Sequence, residues 1–391
     1  MPPAPKSNSS MMIVVIVVVI IVIAGILGYG AYAGWFNGHP ASSSNLTIGV
    51  SCPQPISGAG STFVFPAMSA WAGQFSTDTS SCIQAAYSAV GSGAGITQLT
   101  SKAVEFGASD APLSYAQTKA LPGAAMTIPE AIGPVTVVYN SGNLPKGLNL
   151  TGSLVAQIYM GNITNWNDSA IKAINPGVNL PNQAIAVVHR SDSSGTSFVF
   201  TGWLSLESPA WKASIGQGTA PVWPVGTGAR GSGGVVGTVG STVGAIGYAE
   251  LNYAEFGSGV YTASLQNPAG NYIQPSIAST EPAVSAVAGN LPPGSGNWSA
   301  VSMLNQPGAG TYPMATFTYL IVYSDMGAVF GSAVSQSQAQ ATVNFIWWII
   351  HDGQSVSSAL YYVPIPDSVV SLNQATLSQM TYNGAAYQMP S

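Results

Sequence analysis

This sequence contains unusually few charged residues. Only 5% of its 391 residues are charged, with 8 Lys and Arg against 13 Asp and Glu, whereas about a quarter of a soluble domain is usually charged. So few basic residues cannot form the positive surface that nucleic acids require, so we expect no nucleic-acid partner. The chain also has only two cysteines and three histidines, and no histidine adjoins a cysteine. This scarcity argues against a metal site, and we expect neither a metal nor a cofactor.

A surface without charge needs another source of solubility, and two explanations remain open. In an acidic exterior, carboxylates would be protonated and a surplus of positive charge would repel itself. Alternatively, glycans supply the solubility. Five Asn-x-Ser/Thr sequons are candidate N-glycosylation sites, at Asn45, Asn149, Asn162, Asn167 and Asn297. Both explanations place the bulk of the chain outside the cell.

The amino-terminal segment contains the one long apolar run. Residues 11–36 carry no charge, and residues 13–23 are all Val or Ile; about 20 apolar residues are enough to cross a bilayer. Lys6 precedes the run, which favours a cytoplasmic amino terminus. A cleaved signal peptide, ending at Ala31-Tyr32-Ala33, is the alternative, but the run exceeds the usual signal core. We therefore predict an uncleaved, single-pass anchor in the cell membrane, with the rest of the chain extracellular.

The two cysteines, Cys52 and Cys82, stand 30 residues apart. Outside the cell they can form a disulfide. Two free thiols are the alternative interpretation.

The remaining chain alternates short apolar runs with segments of helical periodicity. Strands are predicted at 83–90, 135–139 and 185–188, and helices at 66–75, 153–159, 197–204 and 343–350. The last helix is too short to span a membrane and is predicted to be core. Residues 225–247 are dense in Gly and Val and are predicted to form turns and a strand. Repeated strand, Gly/Ser turn and helix indicate an α/β fold with parallel strands.

Three glycine-rich clusters stand where a strand would pass into a helix. They are Gly58-Ala59-Gly60-Ser61-Thr62-Phe63, Val90-Gly91-Ser92-Gly93-Ala94-Gly95-Ile96 and Phe106-Gly107-Ala108-Ser109-Asp110-Ala111-Pro112. Glycine lets the backbone approach an anion, and a helix amino terminus directs NH groups at it. Thr62 and Ser92 add hydroxyl donors, and Asp110 can accept the proton of an anion that still carries one. Plain turns, or an Asx turn at Asp110, are the structural alternatives.

The fourth cluster is His189-Arg190-Ser191-Asp192-Ser193-Ser194-Gly195-Thr196-Ser197, directly after a predicted strand. Arg190 is suited to bidentate contact with an oxyanion, and Asp192 could hold the guanidinium in place. Ser194, Gly195 and Thr196 open the next helix with hydroxyl and NH donors. A surface ion pair with a helix cap is the alternative, but cation, donors and glycine together favour an anion site. His189 is read as a packing or surface residue.

These clusters, in this order, make the chain resemble the phosphate-binding components of phosphate ABC transporters, which belong to the type II periplasmic-binding-protein class. The resemblance runs from about residue 56 to residue 382. It also includes Ile158-Tyr159-Met160-Gly161-Asn162-Ile163-Thr164-Asn165-Trp166-Asn167-Asp168, Trp223-Pro224-Val225-Gly226, Gly244-Ala245-Ile246-Gly247-Tyr248-Ala249-Glu250 and Tyr362-Val363-Pro364-Ile365-Pro366. Such a family would have a two-lobed α/β fold, here with an N-terminal transmembrane helix.

The resemblance implies a buried inorganic phosphate, held by hydrogen bonds, and delivery to the permease subunits of an ABC importer. It assigns phosphate contacts to Thr62, Phe63, Ser92, Asp110, Arg190, Asp192, Ser194, Gly195 and Thr196. It also implies the domain order: residues 1–36 as cytoplasmic tip and anchor, 37–47 as linker, 48–130 with 262–391 as one lobe, and 131–261 as the other.

Three other functions remain open on the residues alone. A phosphatase would use Ser194 or Ser92 as nucleophile, but neither has a general base beside it in the sequence. A glycosylated surface or structural protein could reuse the binding fold. A binder of another oxyanion, such as sulfate or molybdate, would have much the same donors.

Overall fold

The computed structural model describes residues 45–390. The predicted anchor, residues 1–36, lies outside the described residues, as does most of the predicted linker 37–47. None of the helices in residues 45–390 combines the length and the apolar composition that a membrane crossing requires.

Strands and helices alternate over much of residues 45–390, as the sequence predicts, although some strands follow one another directly, as Val260–Thr262, Ser264–Gln266 and Tyr272–Ile273 do. The strands are β1 Gln54–Gly60, β2 Ile83–Ala89, β3 Phe106–Ser109, β4 Ala125–Asn140, β5 Asn149–Leu150, β6 Ala186–Arg190, β7 Thr227–Ala229, β8 Ala245–Glu250, β9 Val260–Thr262, β10 Ser264–Gln266, β11 Tyr272–Ile273, β12 Met303–Leu304, β13 Met314–Tyr323, β14 Thr381–Tyr382 and β15 Ala385–Ala386.

The helices have the following bounds. They are α1 Phe65–Asp78, α2 Ser92–Thr100, α3 Tyr115–Ala120, α4 Gly152–Tyr159, α5 Ser169–Ala173, α6 Gly195–Glu207, α7 Pro209–Ser214, α8 Gly231–Ser241, α9 Leu251–Phe256, α10 Ile277–Val287, α11 Met326–Phe330, α12 Gln336–Ile350 and α13 Asp367–Leu377, with short 3₁₀ turns at Ala288–Asn290, Gly331–Ala333, Asp352–Val356 and Ser358–Leu360. Outside residues 225–247, each predicted strand or helix falls inside an observed element of the same type or extends beyond it by one residue at most.

One large sheet organises the described chain, in the strand order β2-β1-β3-β13-β4-β8-β6-β7. Its two ends are parallel, as predicted, since β1 pairs with β2 and β3, and β6 pairs with β7 and β8. The centre is not. Strand β13 runs antiparallel to β3 and β4, and β4 runs antiparallel to β8. The prediction of parallel strands is therefore wrong for the middle of the sheet.

Strand β4 explains the mixed sheet. Its first part pairs with β13 up to Pro134, and its second part pairs with β8 from Val135 onward. One 16-residue strand thus runs from one end of the sheet into the other. Every residue from Met126 to Asn140 is buried, which requires cover on both faces of the sheet. The pairings give β4 the same direction as β1, β2 and β3, and the opposite direction to β6, β7 and β8.

The prediction of turns and a strand for residues 225–247 is wrong for residues 231–241, which form helix α8. Glycine disfavours a helix, by about 1 kcal/mol per residue relative to alanine, but packing outweighs this cost here. Val235 and Val239 are wholly buried, and a Cβ on Gly240 would lie 2.3 Å from the carbonyl oxygen of Ser258. The glycines allow the helix to approach its neighbours closely.

A disulfide joins Cys52 to Cys82. It links the segments that enter β1 and β2, and the NH of Gln54 donates to the carbonyl of Cys82 at 2.7 Å. The cross-link closes a 30-residue interval at the amino ends of two paired strands.

We expect replacement of both cysteines by alanine to lower the free energy of unfolding by roughly 3–4 kcal/mol, because the unfolded chain regains the entropy of an open loop. Chemical denaturation of residues 45–391 with and without the substitutions measures this. An unchanged unfolding midpoint under non-reducing conditions would contradict the expectation.

Candidate anion-binding site

The polar clusters of the sequence meet at the carboxyl ends of the parallel strands. Strands β1, β2 and β3 from one end of the sheet, and β6, β7 and β8 from the other, all bring a polar residue to the same place. This is the position at which open α/β sheets present groups to ligands. Hydrogen bonds between residues more than 100 positions apart in the sequence join the polar residues of one end of the sheet to those of the other.

The segment after β1 supplies the first set of groups. Ser61 donates its hydroxyl to Oδ1 of Asp110 at 2.5 Å, and its Oγ accepts from the NH of Phe63 at 2.9 Å. The Thr62 hydroxyl lies 3.0 Å from the Ser232 hydroxyl. All three residues of the turn are buried, so the turn holds its polar atoms against the opposite end of the sheet.

Ser92 and Gly195 join the two ends of the sheet beside Asp110. The NH of Gly195, at the start of α6, donates to Oγ of Ser92 at 3.1 Å. That hydroxyl also lies 3.5 Å from Oδ2 of Asp110. A Cβ on Gly195 would come within 2.7 Å of the Asp110 side chain. Only glycine therefore fits at this approach.

Arg190 is the cation of the site and is only 3% exposed. Asp192 forms a bidentate ion pair with it: Nε of Arg190 donates to Oδ1 of Asp192 at 2.8 Å, and NH2 of Arg190 donates to Oδ2 at 2.5 Å. The remaining nitrogen, NH1, donates to the hydroxyls of Thr196 and Ser232, each at 3.2 Å. The guanidinium is thereby fixed in one orientation.

Ser194 is the amino-terminal cap of α6. Its Oγ accepts from the NH of Ser197 at 3.2 Å, which leaves the hydroxyl proton available to another acceptor. His189, expected to be a packing or surface residue, stacks on Trp223 with ring centroids 4.9 Å apart. It takes no part in the cluster.

Three residues that the sequence analysis did not assign also belong to the cluster. Ser61 and Ser232 contact Asp110 and Arg190 as described. Glu250, at the end of β8, is wholly buried, and its Oε1 accepts from the Thr196 hydroxyl at 2.5 Å. Ser232 follows a strand and a glycine, as Ser92 does, so the same pattern could have identified it. The interpretation of residues 225–247 as turns and a strand concealed that signal.

An open cavity of about 440 Å³ adjoins the cluster at Asp110. Asp110 lies at one point of its wall, Phe198 and Leu206 of α6 form one side, and Phe317 and Tyr319 of β13 form the other. Lys212 also lines the cavity. In residues 45–390, no group of three or more His, Cys, Asp or Glu side chains is placed to hold a metal ion.

The arrangement matches what a small tetrahedral anion needs. Backbone NH groups, several hydroxyls and one guanidinium supply donors, and Asp110 supplies an acceptor. Buried ions are tolerated only when they are paired and hydrogen-bonded. Arg190 and Asp192 meet this requirement through their bidentate pair, and Asp110 accepts from the Ser61 hydroxyl.

Comparison with known proteins also points to a binding protein. A sequence profile described as the PBP superfamily domain matches residues 38–352. The chain is 38% identical over 327 residues to the phosphate-binding protein PstS of Xylella fastidiosa, covering 82% of this chain and 84% of that protein. The PstS of Methanocaldococcus jannaschii is 35% identical over 300 residues, covering 73% and 76%.

The chain belongs to the PstS family. Solved structures agree on the fold. A high-affinity periplasmic phosphate-binding protein, PfluDING, solved with bound phosphate, has a TM-score of 0.63 and 19% identity, covering 84% of this chain and 99% of its own. A human phosphate-binding apolipoprotein has a TM-score of 0.64 and 17% identity, covering 85% and 100%.

Burial governs the charges of this PstS-family site. Desolvation, together with the nearby Glu250, raises the pKa of Asp110 to about 7, although the Ser61 and Thr318 hydroxyls and Arg190 oppose the rise. Burial alone would also raise the pKa of Asp192, but the hydrogen bond and charge of Arg190 lower it overall. Asp192 is therefore the permanent counter-ion of Arg190, while Asp110 can gain or lose a proton near neutral pH.

This difference predicts a pH-dependent stability. The folded-state pKa of Asp110 lies above its unfolded value. Between about pH 4 and about pH 7, the folded protein therefore keeps a proton on Asp110 that the unfolded chain has lost. We expect the free energy of unfolding, measured without phosphate, to fall as pH rises through that window. Asp110→Asn should lack this component. Denaturant titrations of both proteins at several pH values measure it, and parallel pH profiles would contradict it.

Proposed function

We propose that this protein captures inorganic phosphate outside the cytoplasm and delivers it to the permease subunits of an ABC importer, without chemical change to the phosphate. The observation that carries the proposal is the meeting of a braced, buried Arg190 with the proton-accepting Asp110, among NH and hydroxyl donors. Membership of the PstS family, whose named relatives are phosphate-binding proteins, supports the same function.

In this proposal each predicted residue has a distinct role. Arg190 contacts the phosphate directly, and Asp192 holds the guanidinium in position. Thr62, Phe63, Ser92 and Ser194 donate hydroxyl or NH hydrogen bonds. Gly195 and Thr196 offer NH groups at the start of α6, where the helix dipole favours an anion.

Asp110 would provide selectivity for phosphate over sulfate. Singly or doubly protonated phosphate has a proton to donate to the carboxylate, whereas fully ionised sulfate has none. With sulfate, the buried carboxylate would face oxygen lone pairs without a hydrogen bond between them. We expect this mismatch to cost about 4 kcal/mol, or about a thousandfold in affinity.

The wider organisation is also a proposal. Residues 48–130 with 262–391 would form one lobe and residues 131–261 the other, with the phosphate enclosed between them. The sheet supports this division, because β4 crosses from the first parallel group to the second near Val135. The uncharged run at residues 11–36 would anchor the protein in the cell membrane with a single pass.

Glycosylation would complete the surface. Asn45, Asn162 and Asn297 are exposed and accessible to a glycan. Asn149 and Asn167 are partly buried, and the Asn149 amide donates to the carbonyl of Ile174 at 3.2 Å. The three exposed sequons are therefore the better acceptor sites.

Calorimetric titration of the protein with phosphate, sulfate and arsenate, at two pH values, tests the function. We expect tight phosphate binding, weaker arsenate binding because arsenate carries protons as phosphate does, and no sulfate binding at neutral pH. Sulfate affinity equal to phosphate affinity would indicate a general oxyanion binder. No binding of any anion would overturn the proposal.

Asp110→Asn tests the selectivity mechanism. An amide can donate to sulfate through its NH₂ group, and its neutral carbonyl accepts the phosphate hydrogen bond less strongly than a carboxylate does. We therefore expect sulfate binding to appear and phosphate affinity to fall by at least tenfold. Asp168→Asn is the matched control, because Asp168 only caps α5 by accepting from the NH of Ala170. Persistent rejection of sulfate by Asp110→Asn would refute the mechanism.

A further inference from the structure

Glu250 is a buried acid that the proposed phosphate contacts do not use. It is the last residue of β8 and has no exposed surface. Its Oε1 accepts from the Thr196 hydroxyl at 2.5 Å, and its Oε2 has no hydrogen-bond partner among the described residues. A negative charge close to an anion site opposes anion binding, so the hydrogen bond to Thr196 is the interaction to explain.

The hydroxyl of Thr196 lies between Glu250 and Arg190. Its oxygen also accepts from NH1 of Arg190 at 3.2 Å. A guanidinium can only donate hydrogen bonds and an ionised carboxylate can only accept them. The single hydroxyl proton therefore goes to Glu250, and a lone pair of the hydroxyl oxygen faces Arg190. This hydrogen-bond chain has one direction, from Arg190 through Thr196 to Glu250.

The guanidinium of Arg190 is held at both ends. At one end, Nε and NH2 each donate to Asp192, and at the other end NH1 donates to Thr196 and Ser232. A guanidinium has five N–H groups, so these four hydrogen bonds leave one NH2 proton for an anion. If Thr196 no longer accepted, Ser232 alone would hold the NH1 end.

We propose that Glu250 is a positioning residue for phosphate capture: by accepting the Thr196 hydroxyl proton, it turns the Thr196 oxygen towards NH1 of Arg190 and so fixes the end of the guanidinium that Asp192 does not hold. The inference rests on the proposed function, because it needs Arg190 to contact the phosphate. A guanidinium that is already oriented loses less conformational freedom when the anion binds.

The surroundings of Arg190 support this role. Burial lowers the pKa of Arg190, but the hydrogen bond and charge of Asp192 and the charge of Glu250 raise it overall. The hydroxyl of Tyr248 does not replace Thr196, because it contacts the backbone NH of Arg190 and the hydroxyl of Ser197 rather than the guanidinium.

Replacement of Thr196 tests the link between Glu250 and Arg190. Thr196→Val keeps the branched shape and the backbone NH but removes the hydroxyl, and we expect it to weaken phosphate binding about tenfold. Thr196→Ser keeps the hydroxyl, so its phosphate Kd should lie within about threefold of the wild-type value. Thr342→Val is the control, since the buried Thr342 hydroxyl donates to the carbonyl of Gln338 in α12.

Replacement of Glu250 gives opposite results for positioning and for simple charge. If Glu250 acted only as a nearby negative charge, Glu250→Gln would strengthen phosphate binding. As a positioning residue it strengthens the hydrogen bond of Thr196, so we expect Glu250→Gln to weaken phosphate binding by at least about threefold. In the Thr196→Val background, the same substitution should no longer weaken binding.

Calorimetric titration with phosphate, at one pH, of the wild type, the two single variants and the double variant measures this coupling. Glu130→Gln is the matched control. Glu130 is also wholly buried, its Oε1 also meets a threonine hydroxyl, that of Thr318 at 3.3 Å, and it has no hydrogen bond to Arg190 or its partners. We expect its phosphate Kd to stay within about threefold of the wild-type value.

Nitrogen-15 NMR spectra of the phosphate-free protein report the orientation of Arg190 directly. The chain has only two arginines, Arg190 and the exposed Arg230, so their side-chain signals can be assigned. The two NH1 protons of a guanidinium give separate signals while both are held by acceptors, and the signals merge when that end rotates freely. We expect separate signals for Arg190 in the wild type and Thr196→Ser, and broadened or merged signals in Glu250→Gln and Thr196→Val.

The outcomes separate the two proposals. Stronger phosphate binding by Glu250→Gln, equal weakening with and without the Thr196 hydroxyl, or unchanged Arg190 signals would overturn the role of Glu250 while leaving phosphate capture intact. If Thr196→Val does not fold, the direction of the Glu250→Gln effect and the Arg190 signals of that variant still decide. A wild-type protein that binds no phosphate would overturn the proposed function itself.

Discussion

The burial of Arg190 is the constraint on which the rest of the site depends. A guanidinium removed from water must have its charge balanced and its donors occupied. Asp192 balances the charge, and Thr196 and Ser232 occupy the remaining nitrogen. These partners come from the turn after β6 and from helices α6 and α8, so the burial of Arg190 depends on the packing of both helices on the sheet.

The scarcity of charge elsewhere gives these few groups unusual weight. Asp110, Glu130, Arg190 and Glu250 are all at most 3% exposed, although charged residues are rarely fully buried unless they are paired. In a chain with 5% charged residues, these groups lie close enough to influence one another. The protein thus concentrates part of its small charge inside, where weak screening by solvent makes each interaction stronger.

Hydroxyl groups connect these buried charges. Ser61 and Ser92 each contact Asp110, and Thr196 joins Arg190 to Glu250. A hydroxyl can donate and accept at once, so the protonation of one acid affects the donors available to the next. Phosphate, which also carries both protons and acceptor oxygens, is chemically suited to such a network.

The sequence by itself determined much of the local structure. The glycine and serine turns after β1, β2 and β6, the polar cluster of residues 189–197 and the helices that follow β1 and β6 could all be predicted, because strand, turn and helix-cap signals act over a few residues. The helix at 231–241 could not, since its glycines oppose helix formation and only close packing makes it stable. The antiparallel centre of the sheet is likewise invisible in local periodicity.

Only the tertiary structure decided which polar residues meet. Gly195 and Ser92 are 103 positions apart, and Thr62 and Ser232 are 170 apart, so no local pattern identifies them as partners. The place of Glu250 in the site is likewise decided by the folded chain, which buries it beside Thr196. Short-range sequence signals specify which groups a turn presents, but hydrogen bonding and desolvation act between groups that only the folded chain brings together.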